Sequence, residues 1–157
     1  MSSERERIEQ VTTEQWKEIK NFSASENWGN PGMMDFEFIK ALDQFRDLAG
    51  TPFVVTCGVQ GKHVVDSLHY KGQAADLMFP ARSKRDLLGL FLLASKIKVF
   101  GGIGLYPDWE IHGDRIGGIH LDRRDWGLRA TWIGATEMKQ RVYRPLTAAT
   151  LGTYGFL

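Results

Sequence analysis

The spacing of apolar residues predicts helices in four parts of the chain. In the stretch "DFEFIKALDQFRDLAG", Phe38, Leu42 and Phe45 recur every three or four positions, so they share one face of a helix. Asp35, which opens this stretch, is of the type that caps a helix N-terminus, and Gly50 can end the helix. The same reasoning predicts helices in the stretches "VTTEQWKEIK", "SKRDLLGLFLLASKIK" and "TEMKQRVYRP", the last of them ending at Pro145.

Runs of β-branched and aromatic residues predict strands between and after these helices. The predicted strands are "PFVVTC", "AADLMF", "VFGGIGLYP", "GGIHLD" and "RATWIG". Helices followed by a group of short strands are typical of the α+β class, so we predict a small, mostly antiparallel sheet flanked by helices. No repeat or linker divides the chain, which predicts one domain over residues 1–157, with a last helix and tail over residues 136–157.

Composition and charge narrow the kinds of partner that this domain can have. The 157 residues are 43% hydrophobic and 25% charged, and the formal net charge is +1, so we expect no nucleic-acid partner. The N-terminus lacks the apolar segment of a secretory signal and no run approaches a membrane span, so we expect a soluble cytoplasmic chain without membrane insertion. The single cysteine, Cys57, excludes an internal disulfide and is expected to be a small buried residue without a role in the site.

The chain places all four of its histidines in one window, with several acidic residues: His63, His69, His112, His120, Asp66, Asp76, Glu110, Asp114 and Asp122. A catalytic zinc ion is commonly held by three His, Asp or Glu side chains, with a fourth position left for water. His69 and Asp76 flank a short glycine-containing segment that can fold back and bring both side chains to one ion. On the later strand, alternation places His120 on the opposite face from Ile119 and Leu121. The pattern predicts a zinc site formed by His69, Asp76 and His120.

These residues resemble a known superfamily of zinc proteins. "SLHYKGQAADL" is similar to a segment of hedgehog signalling domains, and "GGIGLYP" followed by "IHLDRR" resembles the ends of murein peptidases of the D-alanyl-D-alanine carboxypeptidase branch. The stretches "FSASENW" and "LDQFRDLAGTPFVVTCG" are similar to the lead-in of those peptidases, so the resemblance covers roughly residues 20–135. It implies the fold shared by the lysostaphin, carboxypeptidase and hedgehog families, with His69, Asp76 and His120 as zinc ligands.

The resemblance also implies catalytic roles, with two departures. Murein peptidases usually carry an arginine in a turn that supports the oxyanion, and the corresponding turn here, "CGVQ", has the neutral Gln60 as a hydrogen-bond donor. Those peptidases often have an acid three residues before the last histidine, where this chain has Gly117. The hedgehog-like spacing instead implies Asp114 as the general base and His63 as a second histidine that can stabilise the oxyanion. Glu110, in an insertion-like loop, is the rival base.

Several neighbouring residues have less specific expectations. Asp122 is expected to orient the ring of His120 or to pair with Arg123 or Arg124, since carboxylates commonly hold a ligand histidine. His112 is expected to be a loop residue, with substrate contact as the alternative. Four aromatic residues are expected either in the core or along a groove: Tyr70, Tyr106, Trp109 and Trp126.

Three functions are consistent with this pattern. The first is a zinc peptidase that hydrolyses a peptide bond in the stem peptides of bacterial peptidoglycan, as a carboxypeptidase or an endopeptidase, with the substrate implied by the resemblance. Such a chain fits a phage lysin that is released to the cell wall or carried in the virion. The second is a non-catalytic module of the same fold, in which zinc stabilises the domain and the groove binds murein or a protein. The third, a metal-free structural protein of a phage particle, leaves the histidine cluster unexplained.

Overall fold

The computed structural model describes residues 11–79, 83–115 and 117–157, with the backbone alone at residues 114 and 115. Its helices are α1 (Thr13–Trp16), α2 (Phe36–Ala49), α3 (Lys84–Ala94) and α4 (Ala148–Thr153). Its strands are β1 (Val54–Cys57), β2 (Ala74–Met78), β3 (Gly102–Tyr106), β4 (Glu110–Ile111), β5 (Asp114–Arg115), β6 (Gly118–Asp122), β7 (Ala130–Glu137) and β8 (Gln140–Pro145). Short 3₁₀ turns span Pro31–Met33 and Leu68–Lys71. Within these ranges, no helix has the length and apolar character needed to cross a bilayer.

Six of the strands form one sheet in the order β1-β2-β6-β3-β7-β8. Neighbouring strands are antiparallel except for β3 and β7, which run parallel. Strands β4 and β5 pair separately as a small hairpin. The predicted α+β class with a mostly antiparallel sheet is therefore confirmed. Because β6 lies between β2 and β3, side chains from three strands meet near the middle of the sheet.

The two faces of the sheet differ, since successive side chains of a strand point to opposite sides. One face is apolar, and its central residues have no exposed surface: Leu77, Ile103, Leu105, Ile119, Leu121 and Ile133. The buried apolar residues of α2 and α3 belong to the same core, and this burial is the main source of stability in a domain of this size. The opposite face, which we call the open face, carries Asp76, His120 and Trp132, so the polar chemistry lies on the side away from the helices.

Helix α2 begins where the sequence predicts. The Asp35 carboxylate accepts a hydrogen bond from the Phe38 N–H at 2.8 Å, which satisfies one of the free donors of the first turn. Asp35 is buried, and it also accepts two hydrogen bonds from the Arg123 guanidinium at 2.8 and 3.0 Å. This ion pair ties the start of α2 to the residue that follows β6. Phe38, Leu42 and Phe45 all lie in the core, as the spacing predicts.

The predicted helix over "TEMKQRVYRP" is wrong, because these residues form the end of β7, a turn and β8. Met138 and Lys139 have positive φ angles of 47° and 66°, and two such residues make a turn whose twist suits a β-hairpin. The β-branched and aromatic residues after the turn favour extended backbone. The last helix is α4, where the Thr147 hydroxyl accepts a hydrogen bond from the Thr150 N–H at 3.2 Å.

Candidate metal centre

His120 and Asp76 lie side by side on the open face of the sheet. They are directly paired residues of β6 and β2. Ile119 and Leu121, on either side of His120, are completely buried on the opposite face, which confirms the alternation predicted for this strand. Side chains of directly paired residues on antiparallel strands are close together. Accordingly, His120 Nδ1 lies 2.9 Å from Asp76 Oδ1.

His69 reaches the same point from the 3₁₀ turn between β1 and β2. The Ser67 hydroxyl accepts a hydrogen bond from the His69 N–H at 3.3 Å and so caps the start of the turn. Gly72 ends the turn with a φ of 68°, which favours glycine. A side chain at this position would also collide with the Met33 carbonyl, since an added Cβ would lie 2.0 Å from that oxygen. These contacts hold the His69 side chain in the interior, with 4% of the residue exposed.

Hydrogen bonds fix which nitrogen of each histidine faces Asp76. A carbonyl oxygen can only accept, so the 2.7 Å contact between His69 Nδ1 and the Gly58 carbonyl places a proton on Nδ1. The other nitrogen of His69, Nε2, lies 3.5 Å from Asp76 Oδ1. The roles are exchanged in His120, where Nε2 donates to Asp122 Oδ2 at 3.0 Å and Nδ1 faces Asp76. In its neutral form, each ring therefore presents one lone pair toward the same carboxylate.

Asp122 is the residue that orients the ring of His120. Only 1% of Asp122 is exposed, and Arg124 donates to its two carboxylate oxygens from Nε at 2.8 Å and from Nη2 at 2.5 Å. Carboxylates that hold a ligand histidine in this way are common supports of metal sites. The expectation that Asp122 orients His120 is confirmed. Its arginine partner is Arg124, because Arg123 pairs with Asp35.

A metal ion can be held by His69, Asp76 and His120. One ligand atom from each of the three lies within 4.8 Å of the other two. Ligand atoms at the usual zinc distances of about 2.0–2.2 Å are about 3.3–3.6 Å apart in a tetrahedron. The 3.5 Å contact of His69 Nε2 with Asp76 Oδ1 falls in that range, and the 2.9 Å contact of His120 Nδ1 with the same oxygen is slightly shorter. Two imidazoles and one carboxylate are also a donor set that zinc prefers, so the residues fit this ion.

In the metal-free protein, the same geometry favours protonated histidines. Burial lowers the pKa of His69, but hydrogen bonds with Asp76 and Cys57 outweigh burial and raise the pKa to about 9. Burial also lowers the pKa of His120, while the carboxylates of Asp122 and Asp76 raise it to about 9. Burial raises the pKa of Asp76, but its hydrogen bonds with the two histidines hold that pKa well below its usual range. A metal ion must displace these protons, so its affinity is expected to rise with pH.

A second group of potential ligands, Cys57, His63 and His69, lies beside the first. Cys57 Sγ is 3.5 Å from His63 Nε2 and 3.8 Å from His69 Nδ1. However, the rings of His63 and His69 are stacked, with centroids 4.1 Å apart and planes inclined by 6°. A nitrogen lone pair lies in the plane of its ring, so two parallel stacked rings cannot both point at one ion. The rings of His69 and His120 are inclined by 61°, which allows both to do so.

His63 and Gln60 stabilise the loop that follows β1. His63 Nε2 donates to the Gln60 carbonyl oxygen at 2.8 Å, and the His63 ring lines the cavity described below. The Gln60 amide nitrogen donates to the backbone and side-chain oxygens of Asn27 at 2.9 and 3.0 Å, and its amide oxygen accepts from the Gly58 N–H at 2.7 Å. Because the amide is fully engaged in the loop and does not line the described cavity, Gln60 is not placed to donate to an oxyanion.

A cavity of about 660 Å³ is lined by the three ligand residues and opens to solvent. Its wall combines charged side chains with aromatic rings, as is common in sites that bind small molecules. The aromatic residues of the wall are Tyr106, Trp109, Trp126, Trp132 and Tyr143. Trp132 can lie close against the sheet because Gly104 has no side chain, and an added Cβ there would be 2.5 Å from the indole. Tyr70 instead accepts a hydrogen bond from the His63 N–H at 2.7 Å.

The two predicted general bases belong to the β4–β5 hairpin, which replaces the insertion-like loop that the sequence indicated. Glu110 is paired with Arg115 in this hairpin, and Ile111 is paired with Asp114. The side chain of Asp114 lies outside the described part of the chain, so its role stays a prediction. Glu110 is exposed and does not line the described cavity. His112 is exposed in the turn of the hairpin, with a φ of 51°.

Trp132 and Asp66 are among the residues of the cavity wall for which the sequence predicts no role. Trp132 lies next to the candidate ligands, with its ring centroid 5.4 Å from that of His120. Its place depends on the parallel pairing of β7 with β3, which no local pattern indicates. Asp66 also lines the cavity and adopts a positive φ of 65°. Its carboxylate forms no hydrogen bond or ion pair with another residue of the described ranges. In the sequence, the signal for its place at the site is its position between His63 and His69.

No protein-family model matches this chain, and no curated protein matches it significantly either. The interpretation of the site therefore depends on the donor atoms and their geometry. Two imidazole nitrogens and one carboxylate oxygen converge at the wall of an open cavity, and a buried carboxylate orients one of the two rings. This arrangement can hold a metal ion and leaves room for a ligand beside it.

Proposed function

We propose that this protein is a zinc-dependent peptidase that hydrolyses a peptide bond in the stem peptides of bacterial peptidoglycan. The observation that carries the proposal is the convergence of His69 Nε2, Asp76 Oδ1 and His120 Nδ1 at the wall of an open cavity. The donor set supports metal-assisted hydrolysis. The resemblance of "SLHYKGQAADL" and "IHLDRR" to murein peptidases supports the substrate class, the peptidase-like fold and a role as a phage lysin.

The chemistry of the proposed reaction is divided between the ion and the chain. Zinc, when bound, supplies a Lewis acid that lowers the pKa of water and polarises a carbonyl oxygen. The chain holds the ligand rings through the hydrogen bonds of His69 with Gly58 and of His120 with Asp122. The aromatic wall holds the peptide beside these groups, since aromatic linings bind ligands and a fixed position next to the reacting groups lowers the barrier.

A general base completes the proposal. We assign this role to Asp114, and Glu110 is the alternative because it lies in the same hairpin. The base takes a proton from the attacking water and delivers it to the leaving amine when the C–N bond breaks. Asp114→Asn should lower kcat by about 100-fold or more while zinc content is kept, and Glu110→Gln should have a small effect. The reverse outcome would assign the base to Glu110.

The second candidate function is a non-catalytic module that holds zinc and binds murein. The observation that favours it is the engagement of the Gln60 amide with Asn27 and Gly58, because the residue expected to support an oxyanion is then used elsewhere. In this function, the ion stabilises the domain and the cavity binds a wall peptide without cleaving it.

Digestion of purified peptidoglycan by the zinc-loaded protein tests both candidates. A peptidase should release fragments with new amine termini, and their masses identify the bond that is cleaved. Asp76→Asn should abolish release, because it removes a charged ligand, whereas the matched variant Asp47→Asn changes an exposed carboxylate on α2 and should leave release unchanged. If the wild-type protein sediments with cell walls and keeps zinc but releases no fragment, the binding module replaces the peptidase.

A further inference from the structure

Tyr106 lies at the end of β3, on the cavity wall that also contains the candidate metal ligands. The residue is 8% exposed, and its ring rests against the sheet at Gly134. An added Cβ at Gly134 would lie 2.3 Å from the Tyr106 ring, so only glycine allows this position of the ring. On its other side the ring stacks on Trp109, with centroids 4.0 Å apart and planes inclined by 17°. Close packing on both sides therefore fixes the position of the hydroxyl.

The hydrogen bonds of the Tyr106 hydroxyl leave its proton available. The indole Nε1 of Trp132 lies 3.0 Å from the Tyr106 hydroxyl oxygen. An indole N–H can only donate, so the tyrosine oxygen is the acceptor in this contact. The Tyr106 O–H must then donate elsewhere, and no residue in the described ranges provides an acceptor within hydrogen-bond distance. A buried wall of the cavity thus carries a hydroxyl donor that has no acceptor among the residues that the structure describes.

The position of this donor connects it to the candidate metal centre. Trp132, which orients the Tyr106 hydroxyl, also contacts His120, with ring centroids 5.4 Å apart. Tyr106, Trp132 and His120 come from the adjacent strands β3, β7 and β6 and share the open face. Burial raises the pKa of Tyr106 to about 12, so its hydroxyl keeps its proton at neutral pH and does not act as a base. With its oxygen accepting from Trp132, the neutral hydroxyl offers its proton to a ligand in the cavity as a hydrogen-bond donor.

We propose that Tyr106 is a catalytic residue whose hydroxyl donates a hydrogen bond to the oxyanion formed during peptide hydrolysis. This inference rests on the proposed peptidase function. The oxygen of water adds to the carbonyl carbon, the C=O π electrons move to the carbonyl oxygen, and the water proton passes to the general base. Tyr106 donates to the resulting oxyanion. When the C–N bond breaks, the electron pair on that oxygen re-forms the C=O bond and the amine takes the proton from the base.

Tyr106 provides the oxyanion donor that the turn after β1 lacks. The resemblance to murein peptidases implies an oxyanion donor in that turn, where Gln60 is engaged with Asn27 and Gly58. Tyr106 offers a donor from β3, which β2 and β6 separate from β1 and which is paired on both sides. A donor on a strand is held more precisely than one on a loop, and transition-state stabilisation depends on that precision.

The variant Tyr106→Phe tests this inference because it removes one oxygen atom and keeps the packed ring. We expect zinc content and fold to be unchanged, KM to change little and kcat to fall about 100-fold, as expected for loss of an oxyanion donor. Tyr154→Phe is the matched control. It also removes one tyrosine hydroxyl, which donates to Glu137 outside the cavity, and should hydrolyse wall peptide like the wild type.

Binding of a phosphinate peptide to the zinc-loaded protein provides a second measurement that does not depend on turnover. The tetrahedral phosphinate anion resembles the oxyanion, so calorimetry should show weaker binding to Tyr106→Phe by about 100-fold, with Tyr154→Phe unaffected. Equal phosphinate affinity and equal kcat in Tyr106→Phe and wild type would overturn the role of Tyr106 and leave the peptidase function intact. Loss of zinc or of the fold in Tyr106→Phe would likewise overturn it, since the hydroxyl would then be structural.

The failure of the proposed function gives a different result. A wild-type protein that hydrolyses no wall peptide refutes the peptidase. If that protein still binds the phosphinate through Tyr106, the hydroxyl is an anion-binding donor of a non-catalytic site, and its assignment to a reaction is overturned. The two measurements together therefore separate an incorrect residue from an incorrect reaction.

Discussion

Two groups of side chains share His69 and differ in the direction of their lone pairs. In the group with Asp76 and His120, the rings are inclined by 61° and one nitrogen of each faces the same carboxylate oxygen. In the group with Cys57 and His63, the rings are parallel and the nitrogens nearest the sulfur donate to backbone carbonyls. Ligand atoms are close together in both groups. Proximity alone therefore does not define a metal site, and the orientation of the rings distinguishes the two.

The difference has a cause in the backbone that carries each group. Asp76 and His120 are paired residues of adjacent central strands, so sheet register fixes their separation. Cys57 is the last residue of β1, and His63 follows in the loop, where its ring is used to satisfy the Gln60 carbonyl. Backbone carbonyls in a loop need donors, and nearby side chains supply them. The first group is thus available for a ligand, while the second stabilises its own loop.

The largest expected effect comes from removing a ligand that only the first group contains. His120→Ala should reduce zinc from about one ion per chain to almost none, because two remaining ligands hold the ion weakly. The midpoint of thermal unfolding should then fall to that of the metal-free protein, since binding to the native state adds to stability. His63→Ala is the matched variant and should keep its zinc. Metal analysis of both proteins measures the zinc content. Loss of zinc in His63→Ala but not in His120→Ala would assign the ion to the group with Cys57 and His63.

A smaller effect is expected when the residue that orients a ligand is changed. Asp122→Asn keeps the shape of the side chain but removes the charge that holds His120 Nε2 and the Arg124 guanidinium. We expect zinc affinity to fall by about 10–100-fold, the usual range for such supporting carboxylates. Competition with a chromophoric chelator measures the affinity. Asp108→Asn, which breaks an ion pair with Arg141 outside the ligand group, is the control, and an equal loss in both variants would contradict the role of Asp122.

The pH dependence of stability should differ between the metal-free and zinc-loaded proteins. The pKa values of His69 and His120 are raised from 6.5 to about 9 in the folded, metal-free chain. A raised pKa contributes stability that is fully present below the unfolded value and is lost as pH rises through the folded value, at about 1.4 kcal/mol per unit of pKa difference. Chelator-treated protein should therefore lose stability between about pH 6.5 and 9.

The zinc-loaded protein should behave differently over the same range. Its ligand histidines are held neutral by the metal, so they have no proton to lose as the pH rises. Thermal unfolding at several pH values, with and without a chelator, measures both curves. Curves that fall in parallel would indicate that His69 and His120 do not exchange their protons for the ion.

Local patterns in the sequence were sufficient for the elements that make up the centre of the fold. The alternation around His120 and the cap at Asp35 depend on neighbours within a few residues, and each is present as predicted. The glycine-containing segment between His69 and Asp76 also folds back, because Gly72 ends a 3₁₀ turn with a positive φ. The stretch from Thr136 to Pro145, for which the sequence predicts a helix that ends at Pro145, is instead the end of β7, a turn and β8. Met138 and Lys139 form the turn of this hairpin with positive φ angles, and neither is a typical turn residue.

The parts of the site that depend on strand order could not be predicted. Trp132 faces His120 only because β7 lies parallel to β3, and the sequence does not specify this pairing. The engagement of Gln60 with Asn27 joins positions far apart in the chain, so a glutamine in a turn suggested a free donor. Spacing identified the candidate ligands, and long-range pairing determined which other side chains surround them.

The smallest effect is expected at Cys57, and it tests the second group directly. The Cys57 thiol lies 3.1 Å from the Gln60 carbonyl oxygen, to which it can donate, and a serine hydroxyl can make the same contact. Cys57→Ser should therefore keep its full zinc content and change the free energy of unfolding by less than about 1 kcal/mol. Cobalt-substituted wild-type protein should also lack a thiolate-to-metal charge-transfer band, because the sulfur is not a ligand. A charge-transfer band in the wild type that disappears in Cys57→Ser, together with a loss of metal, would contradict this prediction. It would mean that His63 and His69 turn their rings toward a common ion, so that the stacked arrangement belongs to the metal-free protein alone.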